Sequence, residues 1–397
     1  MTTISTGRYN VGGVALDRPF KIRRLGHFGF NFSDLDAARR FYVDLLGFRI
    51  SDQSSNGGFF TRHGSDHHAF VVFPKRPAPV AGTPAAAHYR PDNDINQITW
   101  QVQSLQEVVD ATHYFRSLEA DIRMEGRAGG PGSNWHLYVY DPDEQVDELY
   151  YGIEQIGWDG HAKPAEMRHG YQVAPTGPHA AEYDEVQADL AGGSDIRTGY
   201  RYLDPLPATH NVDGILLPRP FEVLRIGPVK LFAEDVERTV HYYREVMGFD
   251  LTEEVSWRGE TASFLRCNTE HHSLAIFPKA WRTALGLSPA TTSVSFGMQL
   301  ANYRQLRDAI AFLRSEGVRV ETGVIPRELH PGIDYAAYAF DPDGHCIELY
   351  CAMEQLGWDG RPRPAHLRPR VDPHQWPEML EATSDIYHGE PFLGPWA

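Results

Sequence analysis

The stretch YYGIEQIGWDG, starting at Tyr150, returns as YCAMEQLGWDG from Tyr350, 200 residues later. Upstream, RLGHFGFNFSDLDAARRFYVDLLGF returns as RIGPVKLFAEDVERTVHYYREVMGF, FFTRHGSDHHAFVVFPK as SFLRCNTEHHSLAIFPK, and DPDEQVDELY as DPDGHCIELY. Matches kept in one order at a nearly constant offset are an internal duplication, so the chain has to fold as two copies of one unit. Each copy divides again. Alternation over 26–32 predicts a half-buried strand, and Ala37, Phe41 and Leu45 before the stop at Gly47 predict a helix over 33–47. Short strands follow at 48–52, 58–62 and 68–73, parted by Gly, Ser and Asn turns. The second quarter repeats the order, with a strand at 95–102, a helix at 105–118 and strands at 122–125, 135–140 and 146–152. Quarters at 224–277 and 294–352 match.

A βαβββ module leaves strand edges open, so two modules are expected to join edge to edge around a cup. The expected fold is α+β, four βαβββ modules paired into two cup-shaped mixed-sheet domains. These domains span 22–175 (modules 22–75 and 94–160) and 222–375 (modules 222–279 and 292–360), with a linker at 176–221 and a tail at 376–397. The Pro/Ala-rich 76–94 reads as a loop, and 175–220, with little periodicity, as a strap on the surface.

At 42% hydrophobic and 23% charged, the 397 residues can bury a core, which excludes a disordered, collagenous or coiled-coil chain. A net charge of −16 without a sustained Lys/Arg run argues against nucleic acid as a partner. No apolar stretch approaches the ~18 residues of a membrane span, and MTTISTGRYN lacks the apolar core of a secretory signal. Three cysteines, Cys267, Cys346 and Cys351, give no disulfide framework and suggest a reducing, cytoplasmic setting.

On these residues the chain resembles the vicinal oxygen chelate superfamily, in particular the four-module type I extradiol ring-cleaving dioxygenases. The elements carrying the resemblance are the His-His pairs in DHHAFVVF and EHHSLAIF, and YxxDPDxxxxELY at Tyr138–Glu148 and Tyr338–Glu348. It covers roughly 22–160 and 222–360. The resemblance implies Fe(II), with Mn(II) as the substitute, held by two histidines and a carboxylate, with O2 as co-substrate. One histidine is expected on the first strand of each module and the carboxylate on the last strand of the second. Carried over, the N-terminal cup offers His27, Gln97 and Glu148, and the C-terminal cup Pro228, Ser295 and Glu348. Neither set is the full triad. Gln is a metal ligand in glyoxalase-like members, so the N-terminal cup is the better candidate and Glu348 the remaining one. The family's proton-handling positions fall on His68, Tyr138, His272, His330 and Tyr338. His136 shares a face with Tyr138, and together with Trp100 it is expected to line the substrate space.

Structural readings stand beside these. His27 can be a strand histidine, and His67, His68, His271 and His272 can be turn residues. Glu148 and Glu348, on inward strand positions, need a metal or a cationic side chain as partner. His113 and His241 fall mid-helix and are expected in solvent, while Trp158 and Trp358 fit a packing latch. Gly-rich 126–135 lacks phosphate-loop spacing and fits a rim over the N-terminal cup.

Three functions compete. The reading adopted is a dioxygenase opening a catechol-like aromatic ring. A metal-dependent isomerase or lyase of the same fold suits Gln97 better but the four-module layout worse. A metal-free protein binding an aromatic metabolite suits Pro228 and Ser295. The partner expected in each case is a small aromatic molecule, and self-association is a further expectation for a fold of this kind.

Overall fold

The computed structural model describes residues 8–157, 159–175, 177–356 and 359–380. The fold is α+β, with two eight-stranded mixed sheets and few helices. The first sheet runs, edge to edge, Arg49–Gln53, Phe59–Arg62, Phe70–Pro74, Arg24–Phe32, Ile95–Gln101, Val146–Tyr151, Trp135–Tyr140 and Ile122–Arg127. The second repeats that order with Asp250–Trp257, Glu260–Arg266, Leu274–Pro278, Val223–Ala233, Ser293–Leu300, Cys346–Tyr350, Ala336–Phe340 and Val320–Glu321. In both, the first strands of the two modules are neighbours at the centre, so the modules of one half join edge to edge. Ile95–Gln101 pairs in parallel with Val146–Tyr151, which sets Thr99 beside Glu148. The antiparallel partner of that strand sets Tyr138 opposite Glu148.

Local signals place the helices. Ser104 accepts from the Glu107 amide at 3.2 Å and Asn302 from the Gln305 amide at 2.9 Å, starting the Leu105–Ser117 and Tyr303–Ser315 helices. The first-module helices start with Leu35–Arg39 and Val236–His241, then widen into π-helical turns over Arg40–Leu45 and Tyr242–Met247. His113 and His241 are exposed.

The stretch between the halves is more ordered than its sequence pattern suggests. It holds the Glu182–Ala191 helix, none of whose residues is buried. Its anchors are ionic: Glu182 with Lys163, Glu185 with Arg127 at 2.7 Å and with His179 at 3.0 Å, and Asp189 with His169 at 2.9 Å. A helix held by charge leaves no apolar stripe to read. A hairpin, His210–Val212 with Ile215–Leu217, precedes the second sheet as Tyr9–Val11 with Val14–Leu16 precedes the first.

By packing the chain forms two units, one of residues up to Asn31, Arg49–Arg76 and Asn96–Leu203, the other of Phe32–Phe48, Pro77–Ile95 and the chain from Asp204. The latch assigned to Trp158 and Trp358 and most of the 376–397 tail lie outside the described residues.

Candidate functional site

In the N-terminal cup, His27, Gln97 and Glu148 converge from three adjacent central strands. His27 Nε2 lies 3.1 Å from Glu148 Oε2, and the Gln97 amide nitrogen lies 2.8 Å from His27 Nε2 and 3.1 Å from Glu148 Oε2. His27 is 1% exposed and Glu148 not at all. Thr99 Oγ1 donates to Glu148 Oε2 at 3.0 Å and Asn134 Nδ2 to Oε1 at 3.1 Å. Burial pushes the Glu148 carboxyl up, but His27, His136 and the Tyr138 hydroxyl outweigh it and hold the group below its ordinary range. Tyr138 is pushed well above the usual phenol range by burial and by Glu148, to which it hydrogen-bonds.

Two more histidines frame this centre. The His68 ring sits 4.2 Å from that of His27, centroid to centroid. Burial, His27 and His67 drive His68 well below the usual imidazole range. His136, its Nδ1 3.2 Å from Asn134 Oδ1, is lowered by burial against the pull of Glu148. The Gly-rich 126–135 segment packs over this region: a Cβ on Gly132 would fall 2.5 Å from His67 Nδ1 and 2.7 Å from His68 Nδ1.

The three central side chains fit a divalent cation. Ligands ~2.1 Å from a metal at right angles stand ~3.0 Å apart, and the observed separations are 2.8, 3.1 and 3.1 Å. A half-turn of the Gln97 amide presents its oxygen to the same point. Among the described residues no group of three His, Cys, Asp or Glu is placed to hold a metal, so the third corner here is an amide. His27, Gln97 and Glu148 would be the protein's ligands.

The structure corrects the reading of Trp100. It is fully buried on the opposite face from Gln97 and Thr99, with Nε1 donating to Asp147 Oδ1 at 2.8 Å. A residue one step out of phase points away from the cup.

In the C-terminal cup the expectation of Glu348 as metal ligand is also corrected. Lys230 Nζ lies 2.7 and 3.0 Å from the two Glu348 oxygens, and Ser295 Oγ donates to Oε2 at 2.8 Å. Lys230, Ser295 and Glu348 have no exposed surface. The cation that Glu348 needs is therefore a side chain. Phe232, Ala262, Phe264, Leu329 and Ile333 belong to one buried apolar cluster of this half. His27 meets Glu148 of its own half.

The catalytic assignments of His272, His330 and Tyr338 lose the metal they were to serve, because Glu348 is held by the Lys230 ammonium. His330 Nδ1 contacts the Ile333 carbonyl at 3.0 Å, while His272 Nε2 and the Tyr338 hydroxyl are buried without a hydrogen-bond partner. Burial and the Lys230 charge push His272 well below the usual imidazole range.

Sequence reasoning missed Lys230, Thr99 and Asn134. For Lys230 a signal exists: it is a lone charge in the apolar run PVKLF, two residues beyond Pro228 and so on the same strand face.

Comparison with known proteins agrees with this architecture. A family model, glyoxalase/bleomycin resistance protein/dioxygenase superfamily, matches residues 24–173 and 225–349. A 2,2′,3-trihydroxybiphenyl dioxygenase of Sphingomonas paucimobilis is 26% identical over 135 residues, 34% of this chain and 44% of that one. The catechol-2,3-dioxygenase of Bacillus subtilis is 26% identical over 141 residues, 34% of this chain and 45% of that one. The chain thus spans less than half the length of these relatives.

Among solved structures, the Mn(II)-bound glyoxalase from Novosphingobium aromaticivorans aligns with a TM-score of 0.56 at 16% identity, covering 86% of this chain and 85% of that one. Homoprotocatechuate 2,3-dioxygenase from Brevibacterium fuscum, in complex with 3,4-dihydroxyphenylacetate, aligns at 0.56 and 19% identity, covering 87% and 85%. Identities this low speak for the fold alone. With both halves matched over more than half of its length, the chain belongs to the glyoxalase/bleomycin resistance protein/dioxygenase superfamily.

Proposed function

We propose that the protein is an extradiol-type dioxygenase that opens a catechol-like ring with O2 at Fe(II), or Mn(II) in its place, and that its reaction centre is the N-terminal cup. The triangle of donor atoms formed by His27, Gln97 and Glu148 carries the reading. The dioxygenases among the curated relatives support the reaction class. When bound, the cation supplies Lewis acidity and a one-electron redox centre. The chain's own groups do the rest. His68, kept neutral, accepts a proton from a substrate hydroxyl. Tyr138, kept protonated, donates a hydrogen bond at the cup. His136, two residues along the same strand face, borders the substrate ring. The cytoplasmic setting rests on three free cysteines, Cys267, Cys346 and Cys351. No helix among the described residues is long and apolar enough to cross a membrane.

Gln97 favours a second reading, an isomerase or lyase working through an enediolate, since an amide oxygen is a weaker donor than the second imidazole of the oxygenase triad. Oxygen consumption separates the two. Protein reconstituted anaerobically with Fe(II) should take up one O2 per ring on addition of a catechol panel, with loss of aromatic absorbance. Full metal loading without uptake by either the Fe(II) or the Mn(II) form would overturn the oxygenase. Proton exchange at a hydroxyketone carbon in a Zn(II) or Ni(II) form would then establish the isomerase or lyase.

A further inference from the structure

The Gly-rich rim of the N-terminal cup is gripped by the chain that follows the second module. Arg127 and Tyr171 exchange two backbone hydrogen bonds, of 2.8 and 2.7 Å. Gly129 and Gly170 let the two backbones close up: a Cβ on Gly170 would lie 2.9 Å from the Gly129 nitrogen. At the far end of the rim the Trp135 ring is stacked on Tyr171 at 5.2 Å and meets His179 edge-on at 4.8 Å. The Arg127 guanidinium lies 5.7 Å from the same indole. Glu185, on the Glu182–Ala191 helix, accepts from Arg127 at 2.7 Å and lies 3.0 Å from His179 Nε2. The Arg127 and Glu185 side chains are only 5% and 8% exposed. Removing the carboxylate would therefore strand a nearly buried cation.

Strand alternation turns this grip into a placement. With Trp135 fixed against Tyr171 and His179, its neighbours Asn134 and His136 belong to the opposite face. There Asn134 Nδ2 donates to Glu148 Oε1 at 3.1 Å, and Asn134 Oδ1 lies 3.2 Å from His136 Nδ1. The second half shows the alternative. Arg327, Asp334 and Tyr335 stand where the first half has Arg127, Asn134 and Trp135. Tyr335 again meets an aromatic ring from later in the chain, Trp376, edge-on at 5.3 Å. Arg327, however, is ion-paired with Asp334 itself. An arginine at this position can thus reach the residue at the Asn134 position. In the first half Glu185 engages the arginine, and Asn134 is left to Glu148.

We propose that Glu185 is a positioning residue of the N-terminal site: by holding Arg127 beside Trp135, it keeps Asn134 on the Glu148 carboxylate. Its role as part of a metal site rests on the reading of that cup as a reaction centre, but the placement of Asn134 does not depend on it.

Glu185→Gln, which removes the charge and keeps the size, tests this in two ways. The first is NMR on the metal-free full chain labelled with 15N-asparagine, the Asn134 side-chain amide being assigned by its loss in Asn134→Ala. That amide should be protected from solvent exchange in the parent and in Glu185→Asp, and lose about 10-fold of its protection in Glu185→Gln. The second is Mn(II) affinity, read from the EPR signal of the free ion. It should fall about 10-fold in Glu185→Gln, but less than about 2-fold when the same change is made in Asn134→Ala. An amide signal unmoved in Glu185→Gln would overturn the proposal, and so would an affinity that stays the same or falls equally in both backgrounds. Should Glu185→Gln fail to fold, Tyr171→Ala, which removes the ring stacked on Trp135, is read in the same two ways. A parent that binds no Mn(II) would overturn the reading of the cup, and the amide signal alone would then decide the placement of Asn134.

Discussion

Lys230 Nζ lies 2.7 Å from Glu348 Oε2 with both side chains sealed from solvent, at a strand position where the first half has Gly29. Together with Pro228 for His27 and Ser295 for Gln97, this substitution separates a cup whose carboxylate meets histidine and amide from one whose carboxylate meets an ammonium. The neighbouring differences run the same way: Phe232, Leu329 and Ile333 stand where the first half has Asn31, Gly129 and Ser133.

Removing one partner of that pair leaves a buried charge alone. Lys230→Met should cost about 3–5 kcal/mol in denaturant unfolding, and Lys230→Met with Glu348→Leu should recover most of it. An undiminished loss in the double variant would mean that the pair is held for more than charge compensation.

The second unit contains a further buried charge cluster. His345 lies 2.7 Å from Asp341 Oδ2 and 2.5 Å from Asp94 Oδ2, and the Tyr42 hydroxyl donates to Asp341 at 2.8 Å. Burial opposes the charge on His345, but the two carboxylates prevail and raise it to about 10, against ~6.5 in an unfolded chain. A raised pKa stabilises the fold fully below about pH 6.5, and that contribution fades as the pH rises through about 10. Stability measured by urea unfolding should therefore fall across that window. His345→Gln, the residue type that the first half has at Gln145, should flatten the fall.

Gly132 has φ +65° and a Cβ there would meet the His67 and His68 rings. Gly132→Ala should cost about 1–3 kcal/mol through backbone strain and displacement of that pair. Gly64→Ala, with nothing within 4 Å, should be close to neutral in the same thermal melts.

Asn134 ties Glu148 Oε1 to His136 Nδ1. Asn134→Ala should weaken metal binding about 10–100-fold in competition titrations while the fold stays intact by circular dichroism. Unchanged affinity would remove Asn134 from the site.

Much of this is readable from the chain. The duplication fixes strand order twice over, and motif positions bring His27, Gln97 and Glu148 to one point. Trp100 is a lesson in phase: two-residue alternation from Gln97 and Thr99 already turns it to the other face. Lys230 was visible for the same reason, as an inward charge that demands a partner. Asn134 and the Arg127–Glu185 pair were not, since loops and residues 58 apart in sequence bring those groups together. The Glu182–Ala191 helix was hidden because ion pairs rather than an apolar face hold it.

The most direct test is the metal content of the chain purified anaerobically and reconstituted with Fe(II), beside His27→Ala, Glu148→Ala and the Lys230→Met/Glu348→Leu double variant. The account predicts one iron or manganese per chain in the parent and the double variant, and none in the two N-terminal variants. No metal in the parent, two per chain, or metal retained by both N-terminal variants would contradict it.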